Sequence, residues 1–209
     1  MIKKLQALKA KKGFTLVELV VVIAIIGVLA AILVPTMIGV VQDSRVTSSN
    51  TTASQIKTQA TTWLTKMDAA KKTLKGPGGS AFTVSVTVGA SGATDGNGNP
   101  DWVPTASAGT FLTGAGTAAA WDGDDVNYNF AAFMADALRD FKAGSVQLTI
   151  QNGGVIGVAV VEGDTAFAGS WPGATNWTSG EFDFGGSKAG VLADSTIMGT
   201  SPALAMGTT

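Results

Sequence analysis

From Phe14 to Val34 the chain runs through 21 residues of which only Thr15 and Glu18 are polar. As an α-helix this stretch is about 31 Å long at 1.5 Å per residue, and the hydrocarbon core of a bilayer is roughly 30 Å thick. It carries one carboxylate, Glu18, near its start. An ordinary anchor would not, because a charge at depth costs roughly 3 kcal/mol or more. Any account of the chain has to explain that acid.

The flanking residues set its context. Residues 1–13 carry Lys3, Lys4, Lys9, Lys11 and Lys12 and no acid. Such a leader stays on the cytoplasmic side, so the stem is expected to insert with its N-terminus inside and everything after Pro35 outside. A secretory signal peptide would have a shorter apolar region, about 7–15 residues, followed by a small-residue cleavage site. Here the small residue, Gly13, precedes the apolar run, and Val34-Pro35 follows it. Cleavage after Gly13 would remove the lysines, keep the membrane helix and expose a new α-amino group on Phe14. That amine lies an i, i+4 step from Glu18, and a reference pKa of about 8 keeps it largely cationic. A carboxylate in apolar surroundings is tolerable beside such a partner.

The run Lys12-Gly13-Phe14-Thr15-Leu16-Val17-Glu18, continued by aliphatic residues to Pro35, resembles the class III leader and first helix of type IV prepilins and the related pseudopilins. The resemblance covers the stem and the helix after it, and no part beyond residue 76. It implies that a prepilin peptidase cuts between Gly13 and Phe14 and N-methylates Phe14. It also implies that Glu18, the fifth mature residue, governs assembly with Phe14, and that the helix unwinds between Gly27 and Pro35 in the filament. The expected fold is α+β and pilin-like, a long N-terminal helix packed on an antiparallel sheet. The expected organisation is a leader (1–13), a transmembrane and assembly helix (14–35), an amphipathic helix of the head (36–75) and a β-rich head (76–209).

Composition bounds the head. Loss of the leader removes five of the 14 basic residues and none of the 15 acids, taking the formal charge from −1 to −6. An acidic chain argues against nucleic acid as the main partner. There is no cysteine, so the exported domain has to hold together without the C-terminal disulfide that many pilins carry. With no histidine either, Ser-His-Asp and Cys-His catalysis and the commonest zinc sites are excluded. The 27 glycines suit a loop-rich β domain.

Along the chain, Ala53, Ile56, Ala60, Trp63, Leu64, Met67, Ala70 and Leu74 recur at steps of three and four, an apolar stripe that should lie on a sheet. The polar run between Val46 and Ala53 is weakly helical and is expected to be a soft spot. Lys66, Lys71, Lys72 and Lys75 favour the end of the helix, reading as a solvated terminus rather than a DNA patch. Gly76-Pro77-Gly78-Gly79 stops it. Phe82–Val88 alternates as a half-buried strand. Residues 89–120 read as a long loop with a short strand near Phe111. A helix is expected from Tyr128 to Phe141, with Phe130, Phe133, Met134, Ala137, Leu138 and Phe141 on one side. Ser145–Gln151 and Val155–Val161 form a hairpin around Asn152-Gly153-Gly154. The aromatics that follow, Phe167, Trp171, Trp177, Phe182 and Phe184, should plug the core where a disulfide is missing, with adhesive or sugar contacts the alternative.

Two acidic constellations invite a chemical reading. Asp95, Asn97, Asn99 and Asp101 are spaced like the start of a calcium loop, but Pro100 stands where its glycine should and Ala106 where its glutamate should. A turn fits better. Asp122, Asp124 and Asp125 read as a helix start. No enzyme, no metal and no cofactor is expected. The expected protein is a structural filament subunit. It is held in the cytoplasmic membrane as a precursor and is displayed on the cell surface after assembly. Its expected partners are copies of itself, the prepilin peptidase, an assembly platform and minor pilins, with no direct nucleic acid. Adhesion, motility and DNA uptake are its candidate roles. The rivals are a pseudopilin of a secretion or competence machine and, in another class, a membrane-tethered binding protein.

Overall fold

The computed structural model describes residues 14–70, 79–89, 92, 94, 98–106, 130–163 and 166–207. Among the described residues the first element is one helix, α1 (Leu16–Ala69). The chain divides into two compact units, Met1–Asp43 and Ser44–Thr209. The second, the head, continues with β1 (Phe82–Val88), β2 (Trp102–Ala106), α2 (Phe130–Ala137), β3 (Gly144–Gln151) and β4 (Gly154–Glu162). The short elements α3 (Ala174–Ser179), β5 (Glu181–Phe182), β6 (Met198–Ser201) and β7 (Ala205–Met206) complete it.

The fold is α+β, as the sequence leads one to expect. Five strands form one antiparallel sheet in the order β2-β1-β3-β4-β6. Ala53, Ile56, Ala60, Trp63, Leu64 and Met67 of α1 are buried against one face, with Val84, Val86, Leu148 and Val158 among their partners in the core. Of the expected stripe, Ala70 is half-buried and Leu74 lies outside the described residues. Trp63 meets Phe130 of α2 edge-on, centroids 5.1 Å apart, a pair worth about 1 kcal/mol beyond its burial.

The two central strands show why this sheet needs a second layer. On β4 Val158 and Val160 belong to the core beneath α1, whereas Ala159 and Val161 belong to a second cluster with Trp177, Phe182, Phe184, Met198 and Leu204. Its near-continuous apolar run is that of a strand covered on both faces. On β3 the second face is polar but equally buried, and its hydroxyls are used: Ser145 accepts from the Phe167 amide at 2.8 Å and Thr149 from Trp177 Nε1 at 2.8 Å. Gly157 makes room for that tryptophan, since a Cβ there would lie 2.1 Å from its ring. The aromatic tail therefore closes a second core, as expected of a head without disulfides, with Phe167 and Trp171 half-buried at its margin.

Several expectations need correction. The expected soft spot from residue 47 to 52 is continuous helix, anchored from outside through Asn50. Thr51 and Thr52 donate to the carbonyls of Thr47 and Ser48, at 2.9 and 3.2 Å, and Asn50 Oδ1 accepts from the Thr200 amide of β6 at 2.7 Å. The helix is described as far as Ala69, with a turn at Ala70, so its expected course to Lys75 and the stop at Gly76–Gly78 lie outside the described residues. Residues 89–120 contain a strand that the sequence reading does not name. The expected short strand near Phe111 lies outside the described residues, and the strand described here is β2, at Trp102–Ala106. Pro104 disguises it, and Pro104 is tolerated because β2 is an edge strand. α2 ends at Ala137, short of Phe141, while Tyr128 lies outside the described residues, and Ala135, not Ala137, faces the core. The hairpin turn is the pair Asn152-Gly153, both with positive φ (52° and 80°), and Gly154 already belongs to β4.

Candidate functional site

Among the described residues the stem carries most of the exposed large apolar side chains. Between Phe14 and Val34 the large apolar side chains are exposed, from Val20 at 49 % to Phe14 at 87 %. An 18-residue window of α1 has a mean hydropathy of 3.1 and no buried residue, so the helix is long and apolar enough to cross a membrane.

At its start, Thr15 and Glu18 close on each other. The Thr15 amide and hydroxyl donate to Glu18 Oε2 at 2.9 and 2.8 Å, and the Glu18 amide donates back to Thr15 Oγ1 at 3.2 Å. This is a reciprocal N-terminal cap, which satisfies backbone donors that the first helical turn otherwise leaves open. Thr15 is the member of this cap that the sequence reading misses. The signal was present in the spacing Thr15-x-x-Glu18, a threonine three residues ahead of a glutamate before an apolar run.

The remaining expected site residues sit as follows. Phe14 is exposed and precedes the helix, and Gly13 lies outside the described residues. Gly27 and Pro35 are both inside an unbroken α1. Pro35 has no N–H for the carbonyl of Ala31, and the next residue, Thr36, donates its hydroxyl to Leu33 O at 2.8 Å. A Cβ on Gly27 would meet nothing within 4 Å, so no contact inside this chain requires glycine there.

The acidic constellations fall mostly outside the described residues. No group of three or more His, Cys, Asp or Glu able to hold a metal occurs among the described residues. Asp95, Asn97, Asp122, Asp124 and Asp125 lie outside them, while Asn99 and Asp101 flank Pro100, which bridges to Thr94. Of the helix-end lysines, Lys66 packs over the Phe133 ring, 4.5 Å from its centroid, and the other three lie outside the described residues.

Comparison with known proteins divides at the same place as the chain. Residues 8–34 match the family model "Prokaryotic N-terminal methylation motif", and residues 46–205 match "Domain of unknown function (DUF5021)". A fimbrial protein of Pseudomonas aeruginosa is 47 % identical over 53 residues, 25 % of this chain and 34 % of that protein. Fimbrial protein Q of Moraxella bovis is 33 % identical over 137 residues, 64 % of this chain and 82 % of that protein. The chain spans about a third of the length of the Pseudomonas relatives it matches. No solved structure matches it. The methylation motif over the stem, and a relative matched over most of its length, carry the assignment: this chain belongs to the type IV pilin family, a family of structural proteins, and its head belongs to the DUF5021 domain family.

Proposed function

We propose that this chain is the subunit of a surface filament, made as a membrane precursor and polymerised through its stem. The leader, residues 1–13, is removed between Gly13 and Phe14 by a prepilin peptidase, and Phe14 is N-methylated. The precursor spans the cytoplasmic membrane once, its lysines inside and its head outside. On entry to the filament, Glu18 of one copy meets the Phe14 amine of a neighbour. Both charges are then neutralised as the stems leave lipid for one another. Because lipid is as apolar as the stems, burial alone does not drive this step, and packing and charge pairing set the register.

One observation carries the reading: from Phe14 to Val34 a single carboxylate stands in an apolar, exposed stretch, four residues from the position whose amine cleavage would create. Gly27 adds to it. Nothing within the chain crowds that position, and a helix lacking a side chain there and an N–H at Pro35 loosens readily when stems bundle. An assembly platform and minor pilins are the expected partners of polymerisation, and adhesion, motility or DNA uptake are the roles open to the outward head. Mass spectrometry of filaments sheared from cells tests the processing. The expected N-terminus is monomethylated Phe14, and filaments beginning at Met1 would refute it.

A further inference from the structure

Among the described residues the head carries a groove of about 800 Å³ between the outward face of α1 and the loop that joins α2 to β3, with Glu162 and Gly163 at the end of β4 also lining it. Its size is that of a small-ligand site; its helical wall is polar, while Ala137, Leu138, Phe141 and Ala143 give the opposite wall an apolar part. From α1 come the hydroxyls of Thr51, Thr52 and Thr58 and the amides of Gln55 and Gln59. Across from them stand two cations, Arg139 and Lys142, and two carboxylates, Asp140 and Glu162, so the groove carries no net formal charge.

The hydrogen bonds define what it offers. The Thr51 and Thr58 hydroxyls donate to helix carbonyls at 2.9 Å each, leaving oxygen lone pairs toward the groove, while the Thr52 hydroxyl, 3.2 Å from the Ser48 carbonyl, also reaches Glu162 Oε1 at 3.4 Å across it. Lys142 donates to the Arg139 carbonyl and Arg139 pairs with Asp136, which orders this loop. Gln55 and Gln59 lie four apart on one helical face, and each presents a donor and an acceptor side by side. Carboxylate and guanidinium groups present the same two-atom edge, the geometry that matches a pair of adjacent hydroxyls. From Thr51 to Gln59 the polar wall is roughly 12 Å long at 1.5 Å per residue.

We propose that this groove binds a neutral oligosaccharide. A phosphate-bearing polymer would need a net positive lining. A peptide that docks by strand addition would need a free sheet edge, and this groove is walled by a helix and a loop. Vicinal hydroxyls, both donors and acceptors, are the chemistry that amide edges, threonine lone pairs and a balanced set of charges recognise together. The inference goes beyond filament assembly and does not depend on it, since every residue used lies in the head.

The test is ligand-observed saturation-transfer NMR on the full chain in detergent micelles, with maltotriose, cellotriose and chitotriose as probes. At least one should bind. The double variant Gln55→Ala/Gln59→Ala should weaken that binding at least tenfold, while Thr61→Ala, outside the groove, leaves it unchanged. Circular dichroism of the double variant checks that α1 is intact. The Glu18→Ala chain should bind as well as the unaltered one, which separates this proposal from the assembly reading. Absence of binding by all three probes, equal binding by the double variant, or preference for a sulfated trisaccharide over every neutral one would overturn the proposal.

Discussion

Thr15 and Glu18 form a closed pair at the start of the stem, with two Thr15 donors on a single carboxylate oxygen, Oε2, at 2.8 and 2.9 Å. Before assembly the acid is thus supplied with hydrogen bonds by its own chain, and its other oxygen, Oε1, is the one left to meet a partner. Thr15→Ala removes the hydroxyl from both directions of the cap, a loss of about 1 kcal/mol. Filament yield in sheared fractions should fall without vanishing, and Thr15→Ser should restore it. Unchanged yield from Thr15→Ala would mean the cap plays no part in assembly.

Within the head, Asn50 Oδ1 ties α1 to β6 through the Thr200 amide at 2.7 Å. Asn50→Ala leaves a buried N–H unpaired, a cost of about 1–3 kcal/mol. Thermal unfolding of the full chain in detergent should show a lowered Tm, with Asn50→Asp less affected because it keeps an acceptor.

Two glycines should respond oppositely to alanine. A Cβ on Gly199 would lie 2.2 Å from the Ser49 backbone, so Gly199→Ala forces β6 off the helix and should lower the Tm more than Asn50→Ala. Gly27→Ala meets nothing and gains about 1 kcal/mol of helix propensity. It should leave the head's Tm unchanged while reducing filament yield, because a stiffer stem resists loosening between residues 27 and 35. A normal yield would remove that segment from the mechanism.

The head should also respond to pH at both ends of the scale. The Thr196 backbone N–H, and then its hydroxyl, hold the Asp194 carboxyl below its ordinary 3.8. A lowered folded value means a contribution present above 3.8 and lost as pH falls through that lower value. Asp194→Asn should therefore flatten the acid limb of a stability profile. Burial lowers the Lys57 ammonium below its ordinary 10.5 while it donates to the Ile156 carbonyl at 3.2 Å. Its burial penalty is present at neutral pH and relieved as pH rises from the lowered value toward 10.5, so stability should climb there, and Lys57→Met should abolish the climb.

What could be read in advance follows the strength of local signals. The stripe from Ala53 to Met67 and the alternation of Phe82–Val88 are periodic, and both elements appear where the periods put them. Asn152-Gly153 announces its own turn. β2 was illegible because Pro104 reads as a strand breaker until its place at the sheet edge is known, and that place is a long-range fact. The segment from Thr47 to Thr52 looked weak for the same reason: its propensity is poor, and the Thr200 amide that holds it lies 150 residues away in sequence. At the stem, Glu18 stood out because it breaks an apolar pattern, whereas Thr15 passed as one more polar residue until the cap was visible.

The central claim is that a membrane-embedded carboxylate assembles this chain by pairing with an amine on another copy. Electron microscopy of sheared surface material from cells expressing Glu18→Ala tests it most directly, with immunoblotting to show that the subunit is still made and processed. The account predicts processed subunits held in the membrane and no filaments. Filaments in normal number and length from that variant would contradict it.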